Sequence, residues 1–245
     1  MFTSDSHLVR FPLIKVSLFA TCLIDQFYPE VGESVVNVLR RLGVHVDFPE
    51  GQTCCGQPAF NSGYPDQAAP LAKRFVDLFE QSDYVVTPSG SCGSMLKLFT
   101  PNLLQDQPDL AEKARSVSSR VFEFSQFLVN VLNVTDVGAR FEGKITYHAS
   151  CHLLRELGVI TEPRVLLQNV ANAQFVEMGN ATECCGFGGT FSVKYPEISN
   201  AIMETKLLAI EATDADVLVA CDSGCLMQLG GAMSRRGMKA RAVHL

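Results

Sequence analysis

A pattern of cysteines occurs twice in this chain, and it constrains the fold more than any other feature of the sequence. Each copy has a lead cysteine, then an adjacent pair followed by glycine after 31 or 32 intervening residues, then a cysteine that ends an apolar run. The copies consist of Cys22, Cys54, Cys55 and Cys92, and of Cys151, Cys184, Cys185, Cys221 and Cys225. All nine cysteines belong to the pattern, which therefore indicates one internal duplication with a period of about 130 residues.

The segments around the cysteines match in kind as well. KVSLFATC ends at the first lead cysteine and KITYHASC at the second, while DYVVTPSGSC and DVLVACDSGC end at the last cysteine of each copy. We therefore expect two domains: residues 1–138, the first repeat with a helical connection, and residues 139–245, the second repeat. The connection is the polar, helix-rich segment 102–137, which contains no cysteine.

Strand-like and helix-like patterns alternate along both halves. Segment 16–22 is β-branched and aromatic, which is typical of a buried strand, and segment 29–42 has apolar residues at helical spacing. Further strands are predicted at 45–48, 84–87, 144–150, 174–178, 216–220 and 239–244, and further helices at 65–81, 162–172, 196–211 and 224–236. This alternation predicts an α/β fold in which each repeat is a small, mostly parallel sheet flanked by helices. Cysteines that follow strands should then gather at the carboxyl ends of the sheets, where ligands bind.

Composition excludes several classes of protein. Of the 245 residues, 47% are apolar and 19% are charged, which is typical of a globular chain with a core. The net charge is −6 and no stripe of Lys and Arg is visible, so nucleic acid and anionic membranes are poor candidate partners. The stretch FPLIKVSLFATCL could suggest a secretory signal, but Lys15 interrupts it and a strand is favoured. We therefore expect a cytoplasmic protein without a membrane span.

The cysteines admit four chemical interpretations. A zinc site usually uses close-spaced ligand pairs, and a thioredoxin-like site needs a CxxC motif that is missing here. Vicinal disulfides would leave five other cysteines unexplained. An iron–sulfur cluster fits best, because neighbouring thiolates can bind different irons. Gly56 and Gly186 follow the pairs and would let the backbone approach such a cofactor closely, whereas GFGG lacks the spacing of a phosphate-binding loop.

With these motifs in view, the chain resembles the CCG (cysteine-rich) domain family. That domain occurs in heterodisulfide reductase, in iron–sulfur subunits of glycolate oxidase and anaerobic glycerol-3-phosphate dehydrogenase, and in some archaeal succinate dehydrogenases. Two CCG repeats without a ferredoxin domain, together with ECCGFGGTFSVKYPEIS and CDSGCLMQLGG, are similar to the lactate utilization protein A family. The resemblance covers almost the whole chain.

The resemblance implies an iron–sulfur redox subunit that takes part in the oxidation of L-lactate to pyruvate. It implies two partners, a ferredoxin-type iron–sulfur subunit and a third lactate utilization protein, with lactate as a possible substrate. It also implies one or two clusters of the [4Fe–4S] type. The implied ligands are Cys151, Cys184, Cys185, Cys221 and Cys225 in the second repeat, and Cys22, Cys54, Cys55 and Cys92 in the first.

The first repeat departs from the full pattern, because Pro88 occupies the position that corresponds to Cys221. We therefore expect the second repeat to be the better ligand set. Three other functions stay open at this point: a heterodisulfide-reductase-like thiol/disulfide enzyme, an iron–sulfur subunit of another 2-hydroxy acid oxidase, and a zinc-stabilised interaction protein.

Overall fold

Strands and helices alternate along the first repeat as the pattern predicts. The structure is a computed structural model, and it describes residues 14–245. The strands of the first repeat are β1 (Lys15–Leu18), β2 (His45–Asp47), β3 (Tyr84–Thr87) and β4 (Val121–Glu123). The helices are α1 (Cys22–Phe27), α2 (Pro29–Arg41), α3 (Gln57–Asn61), α4 (Pro65–Phe79), α5 (Gly90–Ser94), α6 (Thr100–Leu103), α7 (Pro108–Ser119) and α8 (Phe124–Gln126). Two π-helical turns, Met95–Phe99 and Phe127–Val131, continue α5 and α8.

The second repeat follows the same order. Its strands are β5 (Arg140–His148), β6 (Ala171–Phe175), β7 (Val217–Ala220) and β8 (Arg241–His244). Its helices are α9 (Cys151–Arg155), α10 (Glu162–Gln168), α11 (Thr190–Lys194), α12 (Pro196–Glu211) and α13 (Ser223–Arg236). In the described part of the chain, no helix combines the length and the apolar character that crossing a membrane requires.

Two parallel sheets of identical topology form the framework. The strand orders are β2-β1-β3-β4 and β6-β5-β7-β8, and each neighbouring pair is parallel. Helices cover both faces, and the apolar core is divided into two clusters around each sheet. The predicted α/β fold with two pseudo-symmetric repeats is confirmed.

Several boundaries differ from the expectation. The strand expected over 16–22 ends at Leu18, because the Thr21 hydroxyl accepts a hydrogen bond from the Ile24 amide and caps a new helix. Segment 102–137 is more than a connection, since it contributes β4 to the first sheet. Strand β4 is only three residues long, and its sequence VFE has no alternation of apolar and polar residues, so pairing with β3 defines the strand.

The boundary between the proposed domains, 138/139, falls in the stretch between β4 and β5, and we keep it as a proposal. Residues of the two proposed domains contact each other. The His244 Nε2 lies 2.9 Å from the Pro88 carbonyl oxygen, and Asn130 donates a hydrogen bond to Glu162 at 2.7 Å. The question of a signal segment involves residues 11–23 and lies partly outside the described residues.

Helices α5 and α9 meet at Gly90, a close approach between the repeats. A Cβ atom added to Gly90 would lie 2.5 Å from the Cβ atom of Leu153. We predict that Gly90→Ala lowers the free energy of unfolding by about 1–3 kcal/mol, because the interface would have to separate to admit a methyl group. Urea unfolding measures the change.

Gly231 provides the matched control for this prediction. It lies inside α13, and the nearest atom to an added Cβ is the Arg235 guanidinium nitrogen at 3.8 Å. Gly231→Ala should be neutral or stabilise the protein by up to about 1 kcal/mol. Equal effects of the two substitutions would contradict the assignment of Gly90 to a tight interface.

Candidate metal centre

All nine cysteines lie at or near the carboxyl ends of the two sheets, and eight of them line one cavity there. Cys22 and Cys151 are the first residues of the helices that follow the central strands β1 and β5. Cys92 and Cys225 lie in the first turns of α5 and α13, which follow the neighbouring strands β3 and β7. The adjacent pairs come from the loops before α3 and α11. Each repeat therefore brings four thiols together from three separate segments.

Glycine is required after each adjacent pair of cysteines. Gly56 has φ +90° and Gly186 has φ +86°, values that other residues rarely adopt. A Cβ atom on Gly186 would also lie 2.4 Å from the Ser199 carbonyl oxygen. The two thiols of the first pair contact different partners, since Cys54 contacts Cys22 and Cys55 contacts Cys92.

One sulfur contact is the same in both repeats, whereas the lead cysteine of the second repeat also contacts a histidine, with its Sγ atom 3.5 Å from His152 Nδ1. In the first repeat, the Sγ atoms of Cys22 and Cys54 are 3.8 Å apart, and those of Cys55 and Cys92 are 3.2 Å apart. In the second repeat, the Sγ atoms of Cys185 and Cys225 are also 3.2 Å apart. In both repeats the lead cysteine and the first of the pair are half-buried, whereas the second of the pair and the last cysteine are buried.

Neighbouring thiols stabilise one thiolate in the first set and two in the second. The Cys22 thiol donates to Cys54, and this contact is the main cause that lowers the pKa of Cys54 to about 2. The corresponding hydrogen bond from Cys151 lowers the pKa of Cys184 to about 2. A hydrogen bond from Cys185 lowers the pKa of Cys225 to about 6, although burial opposes the shift. Each set is thus prepared to bind a cation through sulfur.

Both sets face a single cavity of about 390 Å³. Its wall includes the eight cysteines just described, with Ser89, His152, Phe187 and Asp222 between them. Since the cavity lies between the carboxyl ends of the two sheets, ligands of the two repeats would be neighbours.

Cys221 is not brought together with the other cysteines. It is fully buried, its Sγ atom lies 3.8 Å from the Tyr147 hydroxyl, and it does not line the cavity. Burial raises the pKa of its thiol well above the usual range. The structure thus offers four cysteines in each repeat, where the sequence suggested five in the second and four in the first.

Asp222 joins the two repeats beside the cavity. Its Oδ1 atom accepts a hydrogen bond from the Gly224 amide at 3.1 Å and caps α13. Its Oδ2 atom accepts from the Ser91 amide at 2.8 Å and from the Ser89 hydroxyl at 3.2 Å, at the start of α5. The cap role is the usual one for an Asp directly before a helix, whereas the link to α5 is a tertiary contact. The shared spacing of a capping residue and a cysteine three positions later, Ser89 to Cys92 and Asp222 to Cys225, was the available signal.

Two buried basic residues adjoin the second set. His148 is fully buried, and one of its ring nitrogens lies within 4.8 Å of the Sγ atoms of Cys185 and Cys225. Lys206 is also buried, and its ammonium group donates a hydrogen bond to the Asn180 carbonyl oxygen.

The cysteine sulfurs meet in close pairs, and the full set of four in each repeat does not form a tight tetrahedron. Tetrahedral zinc with Zn–S bonds of about 2.3 Å places its four sulfurs about 3.8 Å apart. Within residues 14–245, the one group of three ligand atoms that all lie within 4.8 Å of one another is that of His148, Cys185 and Cys225. The four thiols of each repeat, which line one cavity, are therefore candidate ligands for a metal or an iron–sulfur group.

Comparison with known proteins agrees with the repeat pattern. The family model of the cysteine-rich domain (CCG) matches residues 16–97 and 145–230. Lactate utilization protein A of Bacillus subtilis (strain 168) is 49% identical over 95% of this chain and 97% of its own length. The protein of the same name from Geobacillus kaustophilus is 50% identical over the same shares. The chain belongs to the lactate utilization protein A family.

For this member of the lactate utilization protein A family, solved structures add information on the fold alone. A hypothetical protein from Helicobacter pylori superimposes with a TM-score of 0.62 at 8% identity, and the match covers all of this chain and 50% of that one. The clustered cysteines of the two CCG segments indicate a metal or iron–sulfur site.

The burial of Cys221 away from the cavity can be tested by the reactivity of its thiol in the metal-free protein. We predict that iodoacetamide modifies Cys54 and Cys184 at least roughly tenfold faster than Cys221, because they combine partial exposure with a stabilised thiolate. Mass spectrometry of peptides sampled over time measures the rates. In urea all three should react alike, and fast reaction of Cys221 in the native protein would contradict the structure.

Proposed function

We propose that each repeat holds one [4Fe–4S] cluster and that the protein is an iron–sulfur redox subunit of lactate oxidation. The proposed ligands are Cys22, Cys54, Cys55 and Cys92 in the first repeat and Cys151, Cys184, Cys185 and Cys225 in the second. The observation that carries the proposal is the equivalence of the two sulfur sets around one cavity. That equivalence makes the first set as suitable as the second, despite Pro88.

The protein supplies burial and charge balance to such a site. Two thiols of each set are buried, which would shield bound iron from water, and two are half-buried at the cavity. The Gly186 amide lies 3.3 Å from the Cys184 sulfur and donates to it. Hydrogen bonds to ligand sulfurs and burial are two means by which a protein sets the potential of such a group.

The role in lactate utilization rests on the family. Relatives at 49% identity over nearly the whole chain have the name lactate utilization protein A. Oxidation of L-lactate to pyruvate releases two electrons, and iron–sulfur clusters accept electrons one at a time, so two adjacent sites suit this reaction. We propose the partners that the family implies, a ferredoxin-type iron–sulfur subunit and a third lactate utilization protein.

Iron content tests the ligand sets. We predict about eight irons and eight acid-labile sulfides per chain after anaerobic purification, the sum for two [4Fe–4S] groups. Cys92→Ser and Cys225→Ser should each remove about half of the iron, since each deletes one of four ligands. Colorimetric iron and sulfide assays, with the visible absorption of the protein, measure the loss.

Cys221→Ser is the matched control, because it changes the same atom at a position away from the cavity. It should retain the iron content of the unchanged protein. If Cys221→Ser loses half of the iron, five cysteines hold the second group. A colourless protein with stoichiometric zinc and no sulfide would favour the zinc-stabilised interaction protein.

Growth on lactate tests the biological role. In a bacterium that has lost its own lactate utilization protein A, we predict that expression of this chain restores growth on L-lactate. The Cys92→Ser variant should restore much less, while both strains grow equally on glucose. The two proposed partners should copurify with a tagged chain. Failure of a well-expressed, iron-loaded chain to restore growth would argue for another 2-hydroxy acid.

A further inference from the structure

The two cysteine sets differ at two buried positions that correspond by the duplication. His148 lies three residues before Cys151, and Phe19 lies three residues before Cys22. Both positions lie at the carboxyl end of a central strand, and both side chains are buried, at 0% and 2% exposure. The first repeat therefore presents an apolar ring where the second presents two nitrogen atoms.

The second position lies on the helix that packs beneath each pair of cysteines. Both helices begin at a Tyr-Pro step, and Lys206 is ten residues after Pro196, as Phe75 is ten residues after Pro65. Lys206 is 1% exposed and Phe75 is 3% exposed. A buried ammonium thus corresponds to a buried phenyl ring.

In the first repeat, the two aromatic residues stabilise each other. The ring centroids of Phe19 and Phe75 are 5.9 Å apart in an edge-to-face arrangement. Both belong to the core cluster that contains the buried thiols of Cys55 and Cys92. This set therefore has an apolar wall.

In the second repeat, the corresponding wall is polar and incompletely paired. Neither ring nitrogen of His148 makes a hydrogen bond of good geometry within residues 14–245, and one of them lies within 4.8 Å of the Cys185 and Cys225 sulfurs. A buried imidazole is costly unless its nitrogens are paired, and these sulfurs are the acceptors that it faces. Burial lowers the pKa of Lys206, while negative charge at Cys184, Cys185 and Cys225 acts in the opposite direction, so the ammonium and the thiolates of this set favour each other.

We propose that His148 and Lys206 are positioning residues that give the second cysteine set a higher reduction potential than the first. This inference rests on the proposed function, because it concerns iron–sulfur groups held by the two sets. Reduction adds negative charge, and both a hydrogen bond to a ligand sulfur and a nearby cation stabilise the reduced form. The apolar wall of Phe19 and Phe75 offers neither, so the reducing equivalents would reside at the second set at equilibrium.

A potentiometric titration followed by electron paramagnetic resonance tests the proposal on the full, anaerobically purified chain. The unchanged protein should show two midpoint potentials. His148→Phe and Lys206→Met should each lower only the higher midpoint potential. The expected change is on the order of tenfold in the equilibrium constant of reduction, which corresponds to a shift of about 59 mV for one electron. Phe19→His should raise only the lower one.

Two conservative variants separate this role from a structural one. His148→Gln keeps an N–H donor and Lys206→Arg keeps the charge, so both should retain most of the higher potential. Lys97→Met is the matched control, because Lys97 is a half-buried lysine of the first repeat whose ammonium donates to the Val121 carbonyl oxygen at 2.7 Å and lies over the Phe122 ring. It should change neither potential.

The outcomes distinguish the inference from the function on which it rests. A chain without iron would refute the iron–sulfur function itself. Two iron groups whose potentials do not respond to His148→Phe and Lys206→Met would refute the inference alone. Loss of half of the iron in His148→Phe, with unfolding in urea unchanged, would also refute it, because His148 would then be a ligand.

Discussion

The meeting of the two cysteine sets depends on Asp222, whose carboxylate accepts hydrogen bonds from the first turns of two helices, one in each repeat. Its carboxylate is 6% exposed and caps α13 through one oxygen and the start of α5 through the other. A buried carboxylate is costly unless donors surround it, and the free amides of two helix N-termini are suitable donors. The first turns of these helices contain Cys225 and Cys92. One side chain therefore holds the last cysteine of both repeats at a common centre.

That junction explains why two equivalent sheets produce one cavity. In a single doubly wound sheet, a ligand would bind at the carboxyl edge alone. Here the two edges face each other, and the tight contact at Gly90 keeps them close. The two cysteine sets share one cavity, but the side chains packed behind them differ. The pairs Phe19 with Phe75 and His148 with Lys206 indicate that duplication kept the thiols and changed their surroundings.

Much of the fold was accessible from the cysteine spacing and the apolar periodicity. The strands β3 and β7 and the helices α4 and α12 lie where the pattern predicts them. The pattern missed β4, because three residues are too few for periodicity to show and because pairing with β3 defines the strand. It also missed short helices such as α5 and α9, which the capping residues and the sheet edges position.

The sequence by itself determined the duplication, the α/β class, the family and the gathering of cysteines at strand ends, because these depend on spacing and on local periodicity. Only the tertiary structure decided which cysteines meet. Cys221 and Cys225 are four residues apart, yet one side chain enters the core beside Tyr147 and the other faces the cavity. The direction of a side chain at the end of a strand depends on the capping and packing of the next helix, and spacing alone does not reveal it. For the same reason, the correspondence of His148 with Phe19 acquires chemical meaning only when both side chains are found beside the buried thiols.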